Sequence, residues 1–268
     1  LEAGFPAGVV NIVTGGAEVG AAMVEHPGID KIQFVGSGAT AKKVLSSAAN
    51  TLKPCGLELG GKSAVIVFAD ADLQDAAKRG LSGGVSANGQ GCVNGTRLLV
   101  ERPVYDQYVQ MLGAMAGHIK VGDPYDANTT LGPVISEPAL MRILGMADKA
   151  QSDGAQLLSG GTRLGGDCSD GYFMGLTILA GVAPNSDLAR NEVFGPVLAV
   201  TPFDSEEEAV ALANSSEYGL GGYIHTQSLS RAHRVASALD AGQIQVNASG
   251  EAMTPCVPFG GMKQSGFG

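Results

Sequence analysis

The sequence predicts an α/β protein. Three observations carry this. Apolar residues switch repeatedly between a period of two and a helical period. Runs such as Ala64-Val65-Ile66-Val67-Phe68 are strongly β-prone. Capping residues such as Asp72 and Ser205 stand ahead of the stretches with helical period. Taken in order, residues 9–13 read as a strand, 17–25 as a helix, 31–35 as a strand and 39–48 as a helix. The run at 64–68 is the next strand, and Asp72 then caps a helix to about Ser86. Residues 97–101 are a strand, followed by a helix opening at Pro103, where a missing N–H is harmless. Residues 136–153 are helical after a loop rich in proline and glycine, and 197–203 are a strand. Ser205 begins a helix whose first turn carries Glu206, Glu207 and Glu208, which suits the helix dipole. Ile224 and residues 243–247 belong to the last strands. The character changes near Gly60-Gly61, from two short strand–helix units to a longer alternating set, and a domain hinge is expected there.

At 268 residues the chain can bury a sizeable core as one large domain or two smaller ones. It is 44% hydrophobic and 16% charged, which is globular rather than disordered. The formal charge of −9 argues against nucleic acid or an anionic membrane as main partner, since both need a basic face. No apolar run approaches a membrane span. The start, Leu1-Glu2-Ala3-Gly4-Phe5-Pro6, lacks a signal-peptide pattern and a Met, so the chain is expected to be the interior of a longer protein. Cys55, Cys92, Cys168 and Cys256 are scattered, which suggests neither a zinc site nor a disulfide framework. A reducing, cytoplasmic setting is the expectation. His26, His118, His225 and His233 have no metal-ligand spacing and read as structural or surface residues.

Two residues stand out by context. Glu58 lies in Gly56-Leu57-Glu58-Leu59-Gly60-Gly61-Lys62-Ser63, and Cys92 in Gly89-Gln90-Gly91-Cys92-Val93-Asn94-Gly95. A thiol and a carboxylate set in glycine suit covalent chemistry at a carbonyl: the thiolate attacks, and the carboxylate takes a proton from thiol or water. Alone, each reads more often as structural, the cysteine as a small buried apolar residue and the glutamate as a solvated or ion-paired one. Phe34-Val35-Gly36-Ser37-Gly38 joins a strand to a helix, a context for phosphate or for a plain turn. Thr14-Gly15-Gly16-Ala17-Glu18-Val19-Gly20 shares that ambiguity. Asn191-Glu192-Val193-Phe194-Gly195-Pro196 sets an acid two residues from a ring, suited to sugar hydroxyls and a planar group or to a turn. Residues 257–268 are glycine-rich and read as an irregular loop closing one wall of a cleft.

Together these segments resemble the aldehyde dehydrogenase superfamily. The resemblance rests on Leu57-Glu58-Leu59-Gly60-Gly61-Lys62-Ser63, the Gly-Gln-x-Cys loop ending at Cys92, Asn191 to Val197, the Phe34 to Ser37 segment and Pro258-Phe259-Gly260-Gly261-Met262-Lys263-Gln264-Ser265-Gly266. All five occur in the family's order, Cys92 follows Glu58 by 34 positions, and the likeness spans the chain. It implies a partial Rossmann-type cofactor domain over residues 1–60 and an α/β catalytic domain with a parallel sheet over 61–268. It implies oxidation of a small aldehyde to an acid with NAD or NADP. Cys92 would carry a thiohemiacetal and then a thioester, and Glu58 would activate the hydrolytic water. Glu192 would hold the nicotinamide ribose, Phe194 and the Leu59 backbone would flank the nicotinamide, and Phe34, Gly36 and Ser37 would serve the pyrophosphate side. Gly16 and Gly20 would lie near the adenosine side. No metal is implied. Family members are longer, so the resemblance implies a fragment lacking first cofactor strands, an oxyanion asparagine and a C-terminal segment, and a homo-oligomer for the whole protein. Gly38 and Ala41 stand where the family usually has threonine and a second glycine. Two rival expectations are a catalytically impaired or structural member of the fold, and a CoA-acylating semialdehyde dehydrogenase.

Overall fold

The computed structural model describes residues 3–249 and 256–268. Helix α1 spans Ala17–Glu25, strand β1 Ile32–Val35, α2 Gly38–Ala48 and β2 Cys55–Glu58. Strand β3, Ser63–Val67, precedes α3, Leu73–Val85, whose first N–H groups at Gln74 and Asp75 are accepted by the Asp72 carboxylate at 3.1 Å each. Strand β4 spans Gly95–Glu101, followed by α4 over Arg102–Ala116 and α5 over Glu137–Ser152. Then come β5, Gln156–Ser159, β6, Thr177–Ala180, the short α6, Asp187–Arg190, and β7, Val197–Phe203. Helix α7, Glu206–Asn214, is capped by Ser205, as its acidic first turn foretold. The chain ends through β8, Tyr218–Gly219, β9, Gly221–His225, α8, Leu229–Ala238, β10, Gln243–Val246, β11, Met262–Lys263, and β12, Gly266–Phe267.

Seven strands form the main sheet in the order β10-β9-β3-β4-β7-β6-β5. It is the expected parallel sheet, with one antiparallel strand at its edge, where β5 pairs with β6. Every residue of β3 is buried, because helices cover both faces. On one face Val65, Val67, Leu98 and Val100 meet Ala76 and Leu81 of α3 and Tyr108 and Leu112 of α4. On the other, Ile66, Leu99, Phe203 and Ile224 meet Ala209 of α7 and Val235 of α8. Helix α5 covers the rest of that face through Leu140, Ile143 and Ala147 against Leu179, Val197 and Ala199. A second sheet has the order β1-β2-β12, with α1 and α2 packed on it through Val24, Val44 and Ala48. The chain leaves this sheet at Glu58 and enters the main one at Ser63.

Three local expectations change. Residues 9–13 form no strand; among the described residues no strand pairs with them, and Ile12 is 88% exposed. Apolar, β-branched residues favour an extended strand only where a ladder partner exists. The C-terminal tail is not irregular throughout: β11 pairs with β8 and β12 with β2, both antiparallel. Strands β5 and β6 carried too short a pattern, four residues each, to stand out from their turn-rich surroundings.

Two stability predictions follow from packing. A Cβ at Gly83 in α3 would run into the Gly95 carbonyl, whereas a Cβ at the exposed Gly145 in α5 meets nothing within 4 Å. In thermal or urea melts, Gly83→Ala lowers stability by roughly 1–3 kcal/mol, and Gly145→Ala raises it by roughly 0.5–1 kcal/mol. His225 on β9 is 2% exposed, and its Nε2 has no hydrogen-bond partner among the described residues. Burial pulls its pKa from 6.5 down to about 4. The unfolded chain therefore takes up this proton at higher pH than the folded one, and stability falls as pH drops from 6.5 towards 4, by roughly 3 kcal/mol for this group. Melting curves of His225→Leu lose that part of the acid slope, while their slope above pH 7 is unchanged.

Candidate functional site

The crossover between the two sheets carries the first candidate. Glu58 ends β2, and its backbone carbonyl accepts the Gly36 N–H at 3.1 Å. Its carboxylate reaches an open cleft of about 580 Å³, and burial pushes its pKa above the ordinary glutamate value. Its Oε2 has no hydrogen-bond partner among the described residues. After Leu59, the backbone at Gly60 and Gly61 is pressed between two groups: a Cβ at Gly60 would meet the Glu192 carboxylate, and one at Gly61 the Cys92 carbonyl oxygen. The Gly61 N–H donates to Glu192 Oε1 at 3.0 Å.

Cys92 sits in the loop between α3 and β4, and sharp backbone turns aim it. Ala87 and Asn88 take left-handed φ values of 49° and 55°, and Gly89 follows at 71° with its Cα against the Gly195–Pro196 backbone. Side chains pin the loop to its neighbours. Asn88 Oδ1 accepts the Gly132 N–H at 2.7 Å, Gln90 Oε1 the Ile135 N–H at 2.9 Å, and Tyr223 donates its hydroxyl to the Val93 carbonyl at 2.7 Å. The Cys92 thiol is held above its ordinary value of 9.0, first by burial and then by the Glu192 charge, with Glu58 adding a smaller push. The N–H groups of Cys92 and Val93 act the other way. No hydrogen bond joins the thiol to Glu58 among the described residues, so the two face one cleft with space for a reacting molecule between them.

The loop from Asn191 to Pro196 adds Glu192 and Phe194 to the cleft lining. Phe194 has φ 52°, a costly conformation for a non-glycine residue, and leaves its ring 40% exposed over the cleft. Burial raises the Glu192 pKa, and the Gly61 N–H, Lys62 and Arg142 partly oppose this. Gly36 and Ser37 complete the rim at the start of α2, where Ser37 Oγ accepts the Thr40 N–H at 3.3 Å.

Thus Glu58, Leu59, Cys92, Glu192, Phe194, Gly36 and Ser37 share one cleft. Phe34, Gly16 and Gly20 do not line it. The Phe34 ring lies against Gly36 and packs with Val44 and Leu57, so it supports the rim from behind. Gly16 caps α1 and Gly20 lies within that helix. Ala41 is buried against Leu57 and Leu59, so its methyl serves the helix–strand contact.

Three further residues carry the site although the sequence assigned them no role, Lys62 and Ser265 from within quoted motifs and Arg142 from outside them. Arg142 of α5 lines the cleft and donates from Nη2 to the Val193 carbonyl at 2.7 Å. Its only sequence signal was a cation on a half-buried helix. Lys62 is 2% exposed, and its Nζ has no hydrogen-bond partner among the described residues. Burial, then Arg97, lowers its pKa to about 7, while Glu192 and Asp187 pull it back up. Ser265 is fully buried between the sheets.

The cleft suits a nucleotide-bearing cofactor. Phe194 and the 71% exposed Val35 offer apolar contact for a planar ring. Glu192 offers an acceptor for sugar hydroxyls, and the α2 N-terminus offers unpaired N–H groups and partial positive charge for a phosphate. Among the described residues, no group of three or more His, Cys, Asp or Glu could hold a metal, and no helix is long and apolar enough to cross a membrane.

Residues 1–268 match the aldehyde dehydrogenase family. A betaine aldehyde dehydrogenase of Rhizobium leguminosarum bv. trifolii is 40% identical over 267 residues, covering 100% of this chain and 55% of that protein. The crystal structure of betaine aldehyde dehydrogenase from Staphylococcus aureus in complex with NAD+ superposes with a TM-score of 0.95 at 38% identity, over 100% of this chain and 53% of that one. An aldehyde dehydrogenase from Bacillus cereus gives a TM-score of 0.95 at 40% identity, over 100% and 54%. The chain therefore spans about half the length of these relatives. With the family matched from end to end, the chain belongs to the aldehyde dehydrogenase family.

Proposed function

We propose that the protein carrying this chain oxidises an aldehyde to a carboxylic acid with NAD or NADP, and that residues 1–60 and 61–268 are its cofactor-side and catalytic portions. One observation carries the reading: the Cys92 thiol and the Glu58 carboxylate open onto the same cleft, which Glu192 and Phe194 also line. The names of the relatives support the reaction class; for this chain the substrate is proposed only as an aldehyde.

The side chains divide the work. Cys92 loses its proton to water in the open cleft, and its thiolate attacks the carbonyl carbon, forming the C–S bond as the C=O π pair moves onto oxygen, to give a thiohemiacetal held on sulfur. The N–H groups of Cys92 and Val93 stabilise the thiolate against burial and against two neighbouring carboxylates. The Gly-flanked loop brings backbone donors towards the oxygen that develops negative charge. Glu192, Phe194 and the α2 N-terminus with Gly36 and Ser37 would hold the dinucleotide, and Arg142 and Lys62 temper the charge of Glu192. When bound, the dinucleotide supplies a hydride acceptor. Once the adduct on Cys92 is a thioester, Glu58 takes a proton from water as the water oxygen attacks the acyl carbon. The C–S bond breaks, the acid leaves, and the proton returns to the sulfur. A raised pKa suits this base, because it brings proton affinity closer to neutral pH. Hydrolysis by Glu58 favours this reading over transfer to CoA, which needs no water-activating carboxylate.

Alkylation of the free protein by iodoacetamide, followed residue by residue by mass spectrometry, tests the nucleophile. The Cys92 rate should climb with pH to a midpoint above 9.0, and Glu192→Gln should move that midpoint down by removing a negative charge. Equal labelling of all four cysteines, with no dependence on Glu192, contradicts the assignment. Glu58→Gln in the full-length protein should leave Cys92 alkylation in place and lower steady aldehyde turnover by roughly 10²–10⁴-fold. Unchanged turnover, measured by NADH absorbance, removes Glu58 from the role.

A further inference from the structure

We propose that Ser265 is a positioning residue for Glu58: the tail strand clamps the backbone that aims the carboxylate. The inference rests on the role for Glu58 given above. No side-chain hydrogen bond holds the Glu58 carboxylate among the described residues, and its Oε2 is buried without a partner. Its aim is therefore set by the backbone on either side of it. Gly36 holds that backbone from β1, and the tail holds it from the opposite edge, where Gly266 pairs with Glu58 and Phe267 with Leu57.

Ser265 makes this edge a clamp rather than a loose ladder. Its hydroxyl donates to the Gly60 carbonyl at 2.7 Å and accepts the Gly219 N–H at 3.0 Å. Its own carbonyl accepts the Leu59 N–H at 3.0 Å. One buried residue thus grips both residues after Glu58 and ties them to β8, beside the main sheet. The contact needs bare backbone: Gly266 has φ 105°, and a Cβ there would strike the Leu57 carbonyl. A Cβ at Gly261 would lie 2.6 Å from that of Ser265. Gly260 passes the carboxylate itself, its virtual Cβ 3.7 Å from Glu58 Oε1. Lys263 anchors the hairpin from outside, donating from Nζ to the Asn214 and Ser216 carbonyls at 3.2 and 2.8 Å. A hydroxyl with both a donor and an acceptor function is what the clamp requires, and alanine supplies neither.

The test separates acylation from hydrolysis without any cofactor. p-Nitrophenyl acetate acylates a thiolate: sulfur bonds to the acyl carbon, p-nitrophenolate leaves, and an acetyl thioester remains. Water then replaces sulfur, giving acetate and free thiol. In the full-length protein, the nitrophenolate burst reports the first step, and intact mass reports the lifetime of the acetyl–Cys92 adduct. Ser265→Ala should burst at the wild-type rate while its adduct lives about tenfold longer, the expected result of a displaced base. Hydroxylamine attacks the thioester through its own nitrogen, releasing the hydroxamic acid and the thiol without needing Glu58. It should clear both adducts at the same rate. Lys263→Met loosens the same hairpin from the surface and should lengthen the lifetime less, and it decides the matter if Ser265→Ala does not fold. Burst and hydrolysis slowed in equal proportion, an unchanged adduct lifetime, or unequal clearing by hydroxylamine overturns the proposal. A wild-type protein that is not acylated at Cys92 overturns instead the function on which it rests.

Discussion

Two glycines let the backbone between Glu58 and Ser63 pass in contact with the Cys92 carbonyl and the Glu192 carboxylate, and the cleft follows from that passage. Any side chain at Gly60 or Gly61 would push the thiol loop or the acid wall away. The same stretch is where the chain changes sheets. The rigidity of the seven-stranded sheet, covered by helices on both faces, is therefore delivered to the site through a few residues of bare backbone.

The charges around this passage oppose one another. Glu58 and Glu192 both raise the thiol pKa, which disfavours the nucleophilic thiolate in the free protein. Lys62 and Arg142 draw the Glu192 pKa down, and Lys62 is itself destabilised as an ammonium by complete burial. Arg97 beside it is satisfied, donating to the carbonyls of Lys62, Leu212 and Ala213 at 2.9, 2.9 and 2.6 Å. Burial and the Glu58 and Glu192 carboxylates together favour the protonated thiol, the less nucleophilic form of the side chain.

Part of the backbone strain lies in the same region. Ala87, Asn88 and Phe194 adopt left-handed backbone although none is glycine. Two of them are held by their surroundings: Asn88 by its bonds to Gly132 and Pro133, Phe194 by the buried Val193 before it and by Gly195, whose Cα abuts Ile143. Such conformations persist where neighbouring contacts outweigh their cost, and they aim Cys92 and the Phe194 ring into the cleft.

The α/β class and most element positions were legible in the sequence, because periodicity and caps are local properties, whereas Glu58 and Cys92 stood out as candidates only through the ordered set of motifs around them. Ser136, Ser205 and Asp72 sit at helix starts as read, since capping involves residues only two or three apart. Residues 9–13 misled because a β-prone run declares a preference and not a partner. The antiparallel edge at β5, the tail strands β11 and β12, and the roles of Arg142, Lys62 and Ser265 depend on segments far apart in the chain, with Ser265 lying 205 positions from the Gly60 it holds. The sequence by itself marked Glu58 and Cys92 as the candidates for the proposed chemistry. Only the tertiary structure decided which backbone aims them, because a buried hydroxyl reads the same in sequence wherever it points, and its partners exist only after the sheets have packed.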